Sequence, residues 1–221
     1  MKVAQIWRYP VKSMAGEQLD RANIGSLGIE GDRVVRVEDA DGRVITARTH
    51  PHLLGHHTTL NASGEPVVDG VLWSDPKVRK DVVGIVGPGA RLVRDESIDR
   101  FDVLPLLVAT DGAIAAFGHD GRRLRPNIVI GGVEGLAERS WPGQCLRIGD
   151  VIIGIQDLRG RCIMTTFDPD SLKQDRQVLT GIVQKFGGTL ALNCYVIQAG
   201  EIRVGDAVEV VPEHECEAIR G

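Results

Sequence analysis

Apolar residues along the 221-residue chain gather in short runs bounded by glycine, proline, asparagine and aspartate. VAQIW opens the chain, RVVRV and RVITA flank a DADG tetrad, and LLGHHTTLN, VVGIVG, ARLV, LLVA and NIVIGG follow. CLRIGDVIIGI, CYVI and EIRVGDAVEVV complete the series. Runs this short, rich in β-branched residues and separated by turn formers, predict the strands of a barrel or sandwich. Asp39 to Arg43 reads as a hairpin turn, because Asp-Gly tolerates the positive φ that a tight turn needs. Two segments read as helices: Asp111 to Phe117, with Asp111 as its cap, and Asp170 to Phe186, stopped by Gly187-Gly188. The fold class predicted is mainly β with a few short helices. The weakest patterning, Asn61 to Lys80, contains SGEP, VDG and SDPK and marks a junction between two β subdomains. Beyond Pro212 the sequence EHECEAIRG is polar and is expected to fray.

Composition narrows the function classes. A formal net charge of −4 gives no global field for nucleic acid or an anionic membrane surface, so an anionic ligand needs a local basic pocket. There is no apolar run of membrane-spanning length, and MKVAQIWRYPVKS lacks the apolar core of a signal peptide. No membrane association is expected, and the location expected is cytoplasmic. Cys145, Cys162, Cys194 and Cys216 form no CxxC pair. That spacing predicts neither a disulfide framework nor a zinc site, and leaves four thiols. The His50-x-His52 and His56-His57 pairs read as a solvated loop, since adjacent side chains leave a regular element on different faces.

Four segments carry candidate chemistry. In GRCIMTTFDPD, from Gly160 to Asp170, Cys162 follows Arg161 directly. A neighbouring guanidinium favours the thiolate, the form that binds a soft, high-valent metal. The alternative is a small buried hydrophobe in a strand. RRLRPNIVIGG sets three arginines before a strand that starts near Asn127, and arginine forks suit phosphate and carboxylate oxygens. The alternative there is a solvated basic loop. YPVKSMAG offers an ammonium, a hydroxyl and backbone N–H groups after an X-Pro turn, without the spacing of a P-loop. GDRVVRV and ITARTHP place Arg33 and Arg48 at opposite ends of a hairpin, where strand alternation puts Thr46 and Arg48 on one face.

Taken together and in order, YPVKS, GDR, TAR.HP, RPNIVI, RC..TT.DPD and IRVGD.V resemble the MOSC family, from Lys2 to about Val211. The likeness is to the branch containing the mitochondrial amidoxime-reducing component and its bacterial relatives. The resemblance implies a β-barrel MOSC fold, with an N-terminal β-barrel subdomain over 1–80, the MOSC domain over 81–213 and a frayed tail over 214–221. It implies a molybdenum cofactor (molybdopterin) ligated by Cys162. Lys12, Ser13, Arg33, Thr46, Arg48, Arg125, Asn127, Arg161 and Asn193 are the residues it sets at the cofactor. Asp102 then stands near the metal as a proton donor or a polar anchor.

The activity implied is reduction of small N-hydroxylated compounds. Electrons would come from a separate ferredoxin- or cytochrome-type protein, since the sequence shows no cysteine cluster for an iron–sulfur domain. The same cysteine also suits a sulfur carrier holding a persulfide on Cys162 for metal–sulfur assembly. A cofactor-binding protein without turnover is a third reading, and Lys12 as a pyridoxal phosphate Schiff base is a further, minor one. The chain departs from the branch at three places. Val103-Leu104 stands where a hydroxyl residue usually follows the aspartate, Gly160 where a serine commonly precedes the cysteine by two, and LALNCYVI in place of an FGQN-like segment.

Overall fold

The computed structural model describes residues 1–212, 214 and 215. The elements run β1 (Lys2–Arg8), β2 (Glu17–Leu19), β3 (Arg21–Gly25), β4 (Gly28–Ile29), β5 (Val35–Glu38) and β6 (Val44–Ile45). Next come β7 (Thr58–Leu60), β8 (Pro66–Val68), β9 (Val71–Leu72), α1 (Pro76–Val86), β10 (Arg91–Arg94), β11 (Leu106–Thr110) and α2 (Asp111–Phe117). The chain continues through β12 (Ile128–Gly131), β13 (Gln144–Ile148), β14 (Val151–Gly160), α3 (Gln177–Phe186), β15 (Thr189–Gln198), β16 (Gly200–Arg203) and β17 (Glu209–Pro212). The mainly β expectation therefore holds.

One eight-stranded mixed sheet dominates, in the order β17-β13-β14-β15-β11-β12-β1-β2. Among the described residues β17 and β2 end the strand order, while a Lys2–Ala207 bridge and bonds from Val3 N to Asp206 O and from Gly205 N to Val3 O bring the segment before β17 against β1. The parallel pair β11–β12 is crossed over by α2, the connection that a parallel pair requires. β1 lies antiparallel to β12, and β3 pairs with β16, so the first thirty residues are built into a core supplied mostly from the second half of the chain. That core packs Val3, Ile6 and Ile24 against Ile128, Leu146 and Ile153. A second core, including Val11, Met14, Val35, Leu53 and Val82, lies under the small sheets β10-β5-β6 and β7-β8-β9, whereas β16-β3-β4 packs into the first.

Local chemistry explains where the elements differ from expectation. VVGIVG, read as a strand, belongs to α1: Asp75 caps it by accepting from Lys77 N, Pro76 opens it, and Val78 and Val82 bury one face at helical spacing. α2 spans the expected Asp111–Phe117, but Thr110 is its cap, accepting from Ala113 N. The Asp111 carboxylate instead accepts from Gly132 N and Val133 N and ties α2 to the end of β12. α3 begins at Gln177 rather than Asp170, because Asp168 to Asp175 is folded into a turn, and it ends at a left-handed Gly187 as expected. Cys145 is disulfide-bonded, which corrects the expectation of four thiols. The β13–β17 pairing runs the C-terminal strand past it, a proximity that sequence spacing hides. Most of the tail expected to fray, residue 213 and residues 216–221, lies outside the described residues.

Two glycines test this packing in opposite directions. A Cβ on Gly112 would meet the carbonyl oxygens of Gly135 at 2.3 Å and Val133 at 2.4 Å, while one on Gly181 in α3 meets nothing within 4 Å. Gly112→Ala should destabilise by about 1–3 kcal/mol, as overpacking does. Gly181→Ala should stabilise by about 0.5–1 kcal/mol through helix propensity. Urea midpoints of the two variants, moving apart from the native value, are the check.

Candidate functional site

The site lies where three loops and one strand end converge. Three of its side chains sit on strained backbone: Ser13 (φ 70°), Arg33 (φ 55°) and Arg125 (φ 57°) are left-handed, a region that costs a non-glycine residue about 1–3 kcal/mol. Each residue is turned there by neighbouring backbone bonds. Lys12 N donates to Val35 O, Arg33 N to Tyr9 O, and Arg125 N to Arg122 O at the end of a short 3-10 turn.

Beneath them Asp32 and Asn127, both fully buried, form a polar knot. Asp32 accepts from Tyr9 N at 2.7 Å, from Asn127 Nδ2 at 3.1 Å and from Arg33. Asn127 Nδ2 also reaches Trp7 O, while its Oδ1 accepts from Leu107 N at 3.1 Å and Arg33 at 3.4 Å. The Asn127 amide is thus engaged on both ends and holds Arg33 in place. Arg125 stacks on the Tyr9 ring at 4.2 Å, with Arg33 at 5.2 Å. Burial pushes the Tyr9 hydroxyl up to about 12, and its OH donates to Pro126 O.

Asp102 organises the opposite wall. It pairs with Lys12 at 2.9 Å, Arg48 at 2.6 Å and Arg159 at 3.8 Å. Burial opposes its ionisation, yet the Lys12 hydrogen bond and charge, with Arg48 and Arg159, hold it below the usual carboxylate range. Lys12 also donates to Arg100 O at 2.9 Å. Arg159 continues the chain of contacts, donating to Asn193 Oδ1, whose Nδ2 donates to Asp157.

Cys162 is half-buried and follows the end of β14, just before a 3-10 turn over Ile163–Thr166. The two threonines of the RC..TT motif pin that turn: Thr165 donates from Oγ1 to Cys162 O at 2.8 Å, and Thr166 to Ile163 O at 2.6 Å. Burial works against the charge of Arg48, but neighbouring Cys162 and Asp102 raise its pKa above the ordinary value. Burial pulls Arg125 and Arg161 down to about 10, which leaves both cationic at neutral pH. Arg125 Nη2 and Arg161 Nε are buried without any hydrogen-bond partner. Unsatisfied buried donors are costly, and here two of them line the cavity beside a thiol.

One cavity collects nearly all the expected residues. Lys12, Ser13, Arg33 and Arg48 line it with Arg125 and Asn127. Asp102, Arg161, Cys162 and Asn193 complete the wall. Thr46 does not line it. β6 ends at Ile45 and the chain turns, with Thr46 O accepting from Thr49 N and His50 N, so strand alternation no longer relates Thr46 to Arg48. Arg123 and Arg159 also line the cavity, giving seven cationic side chains against the single carboxylate of Asp102. Arg159 escaped the sequence reading, although its position two residues before Arg161 at a strand end was a usable signal. Gly160 adds no side chain, and a Cβ there would meet nothing within 4 Å. His56 pairs with Asp69, and among the described residues no His, Cys, Asp and Glu cluster forms a metal site. The donor set fits an anionic, polar cofactor whose metal takes a single thiolate.

Residues 1–82 match the MOSC N-terminal beta barrel domain, and residues 113–209 match the MOSC domain. Mitochondrial amidoxime-reducing component 1 of Homo sapiens is 27% identical over 277 aligned positions, covering 93% of this chain and 82% of that protein. Its Mus musculus counterpart is also 27% identical, covering 93% and 81%. Both alignments are longer than the 221 residues of this chain, so the relatives carry insertions that it lacks. Among solved structures, the YUAD protein from Bacillus subtilis superposes with a TM-score of 0.53 at 15% identity, over 95% of this chain and 94% of that one, a likeness of fold.

The Asp102 cluster predicts an acid limb. A carboxylate with a depressed native pKa stabilises the fold above its unfolded value, about 3.9, and that contribution disappears as pH falls through the native value. Asp102→Asn should therefore lie below the native protein in urea midpoint at pH 6. The gap should narrow steadily below about pH 4. Parallel midpoint curves from pH 6 to pH 3 would contradict it.

Proposed function

This chain is a MOSC-domain protein, and from that premise we propose that it is an oxidoreductase that holds a molybdenum cofactor on Cys162 and reduces small N-hydroxylated compounds. The observation that carries the proposal is the cavity beside Cys162, with its excess of cations and its two buried, unpartnered donors on Arg125 and Arg161. A molybdopterin presents a phosphate and a polar heterocycle, and this donor set is complementary to both. Amidoxime-reducing relatives support the reaction class.

When bound, the cofactor supplies the two-electron redox chemistry. In the net reaction the N–O bond breaks, two electrons and two protons are taken up, and the oxygen leaves as water. The protein's own part is binding and electrostatics. Lys12, Ser13, Arg33, Arg48, Arg125 and Arg161 hold the anionic cofactor, and Asn127 acts through Arg33. Asp102, paired with Lys12, Arg48 and Arg159, which hold its carboxyl below the usual range, is a charge anchor. Electrons come from a separate ferredoxin- or cytochrome-type protein.

The test is metal and pterin content of the native protein and Cys162→Ala, both purified from a host that makes molybdopterin, followed by amidoxime reduction with an artificial donor. Native protein should carry molybdenum and reduce the substrate, and Cys162→Ala should lose both. Full retention of molybdenum by the variant overturns the ligand assignment. Native protein lacking metal and pterin, with a persulfide label on Cys162, turns the reading to sulfur carriage.

A further inference from the structure

A second cavity adjoins the one that holds Cys162, and three chain segments turn through both. In the loop after β1, Lys12 and Ser13 face the cysteine cavity while Tyr9, Ala15 and Gly16 line the second. In the turn after β14, Cys162 lines the first and Phe167 the second, with Met164 between them on both. In the turn before β12, Leu124 lines the first and Arg122 the second, while Arg123 and Arg125 line both. The partition is therefore Met164 with two arginines. Met164 is its adaptable part, because an unbranched thioether repacks at little cost.

The chemistry of the two cavities differs. The second is walled by the rings of Trp7, Tyr9 and Phe167 with Leu54. Its cations are largely spent. Arg122 is forked between Asp120 and Asp170, and Arg123 is held by Asp168 and Thr165 O. Arg125 lines both cavities with its guanidinium carbon 4.2 Å from the Tyr9 ring centroid, and its one unpartnered nitrogen is the donor already given to the anion of the first. A multiply charged anion belongs in the first cavity. A flat, largely apolar group belongs in the second, since aromatic walls favour ring contacts.

We propose that the second cavity is the substrate's body site, taking the planar aromatic part of an N-hydroxylated compound whose N–OH end passes Met164 to reach Cys162. The proposal rests on reading the cysteine cavity as the reaction site. It makes Phe167 and Ala15 specificity-determining residues: the first offers a ring face, and the second leaves room that a larger side chain would fill.

The test uses the full chain loaded with cofactor, with Phe167→Leu to remove the ring and Ala15→Phe to fill the space. Binding of benzamide, which carries no N–O bond, is measured by calorimetry, and KM is measured for benzamidoxime and acetamidoxime. Both variants should weaken benzamide binding and raise the benzamidoxime KM by about tenfold, the scale of a lost pocket contact. The acetamidoxime KM, molybdenum content and pterin content should stay at native values. Equal KM changes for both substrates overturn the proposal, as does loss of pterin, which would give the cavity to the cofactor's heterocycle. If neither substrate is reduced while benzamide binds the native protein and not the variants, the reaction-site reading falls and the aryl site stands. Should one variant fail to fold, the other carries the same comparison.

Discussion

The arrangement of the site depends on one buried carboxylate. Asp32 is fully removed from solvent, and a charge in that position survives only if its neighbours supply hydrogen bonds and a counter-ion. Tyr9 N, Asn127 Nδ2 and Arg33 do so, and they come from three distant parts of the chain. Satisfying Asp32 therefore fixes the YPVKS loop, the GDR turn and the start of β12 relative to one another. The β1–β12 pairing continues the same junction as an ordinary ladder. Removing any member would strand a buried polar group, which is why such a knot behaves as a unit.

The protein places its electrostatic and conformational strain in the same region. Seven cations share a cavity with one carboxylate, and three of the lining residues sit at positive φ. Neither feature serves folding. Repulsion among guanidinium groups and left-handed backbone both oppose it, and both persist because rigid surroundings impose them. Asp102 relieves part of the repulsion by drawing Lys12, Arg48 and Arg159 together, leaving Arg125 and Arg161 with donors directed at no protein group. A cavity so arranged is organised for an anionic ligand before the ligand arrives.

Much of this was legible in the sequence, and the failures have physical causes. Short β-branched runs and the Asp39 turn identified a β protein, and Gly187 marked the end of α3, because these signals are local. Val82 to Val86 misled because valine favours strands, whereas the Asp75-Pro76 cap and the burial of Val78 and Val82 decide for helix. Thr46 was set at the cofactor by the resemblance and beside Arg48 by strand alternation, and the alternation was carried beyond Ile45, where the strand ends. The bonded state of Cys145 depends on which strands lie side by side, which no local spacing reveals. Asn127 was identified by its residue type, but its amide is consumed inside the fold, so its effect on a ligand passes through Arg33.

The departures at Gly160, Val103 and Leu104 acquire meaning from the same geometry. All three line the cysteine cavity, Val103 is half exposed, and the space beside Gly160 is open. Hydroxyls at these positions would offer short neutral hydrogen bonds at the mouth. Without them, polar recognition in this cavity falls on guanidinium and ammonium groups, whose hydrogen bonds to anions are roughly twice as strong as neutral ones. Affinity for the charged part of a ligand is thus concentrated on these cations, and discrimination of its uncharged part is left to shape and hydrophobic contact. That division is consistent with an anionic cofactor anchored on the cationic wall and an exchangeable, weakly polar substrate body held among the aromatic rings across Met164.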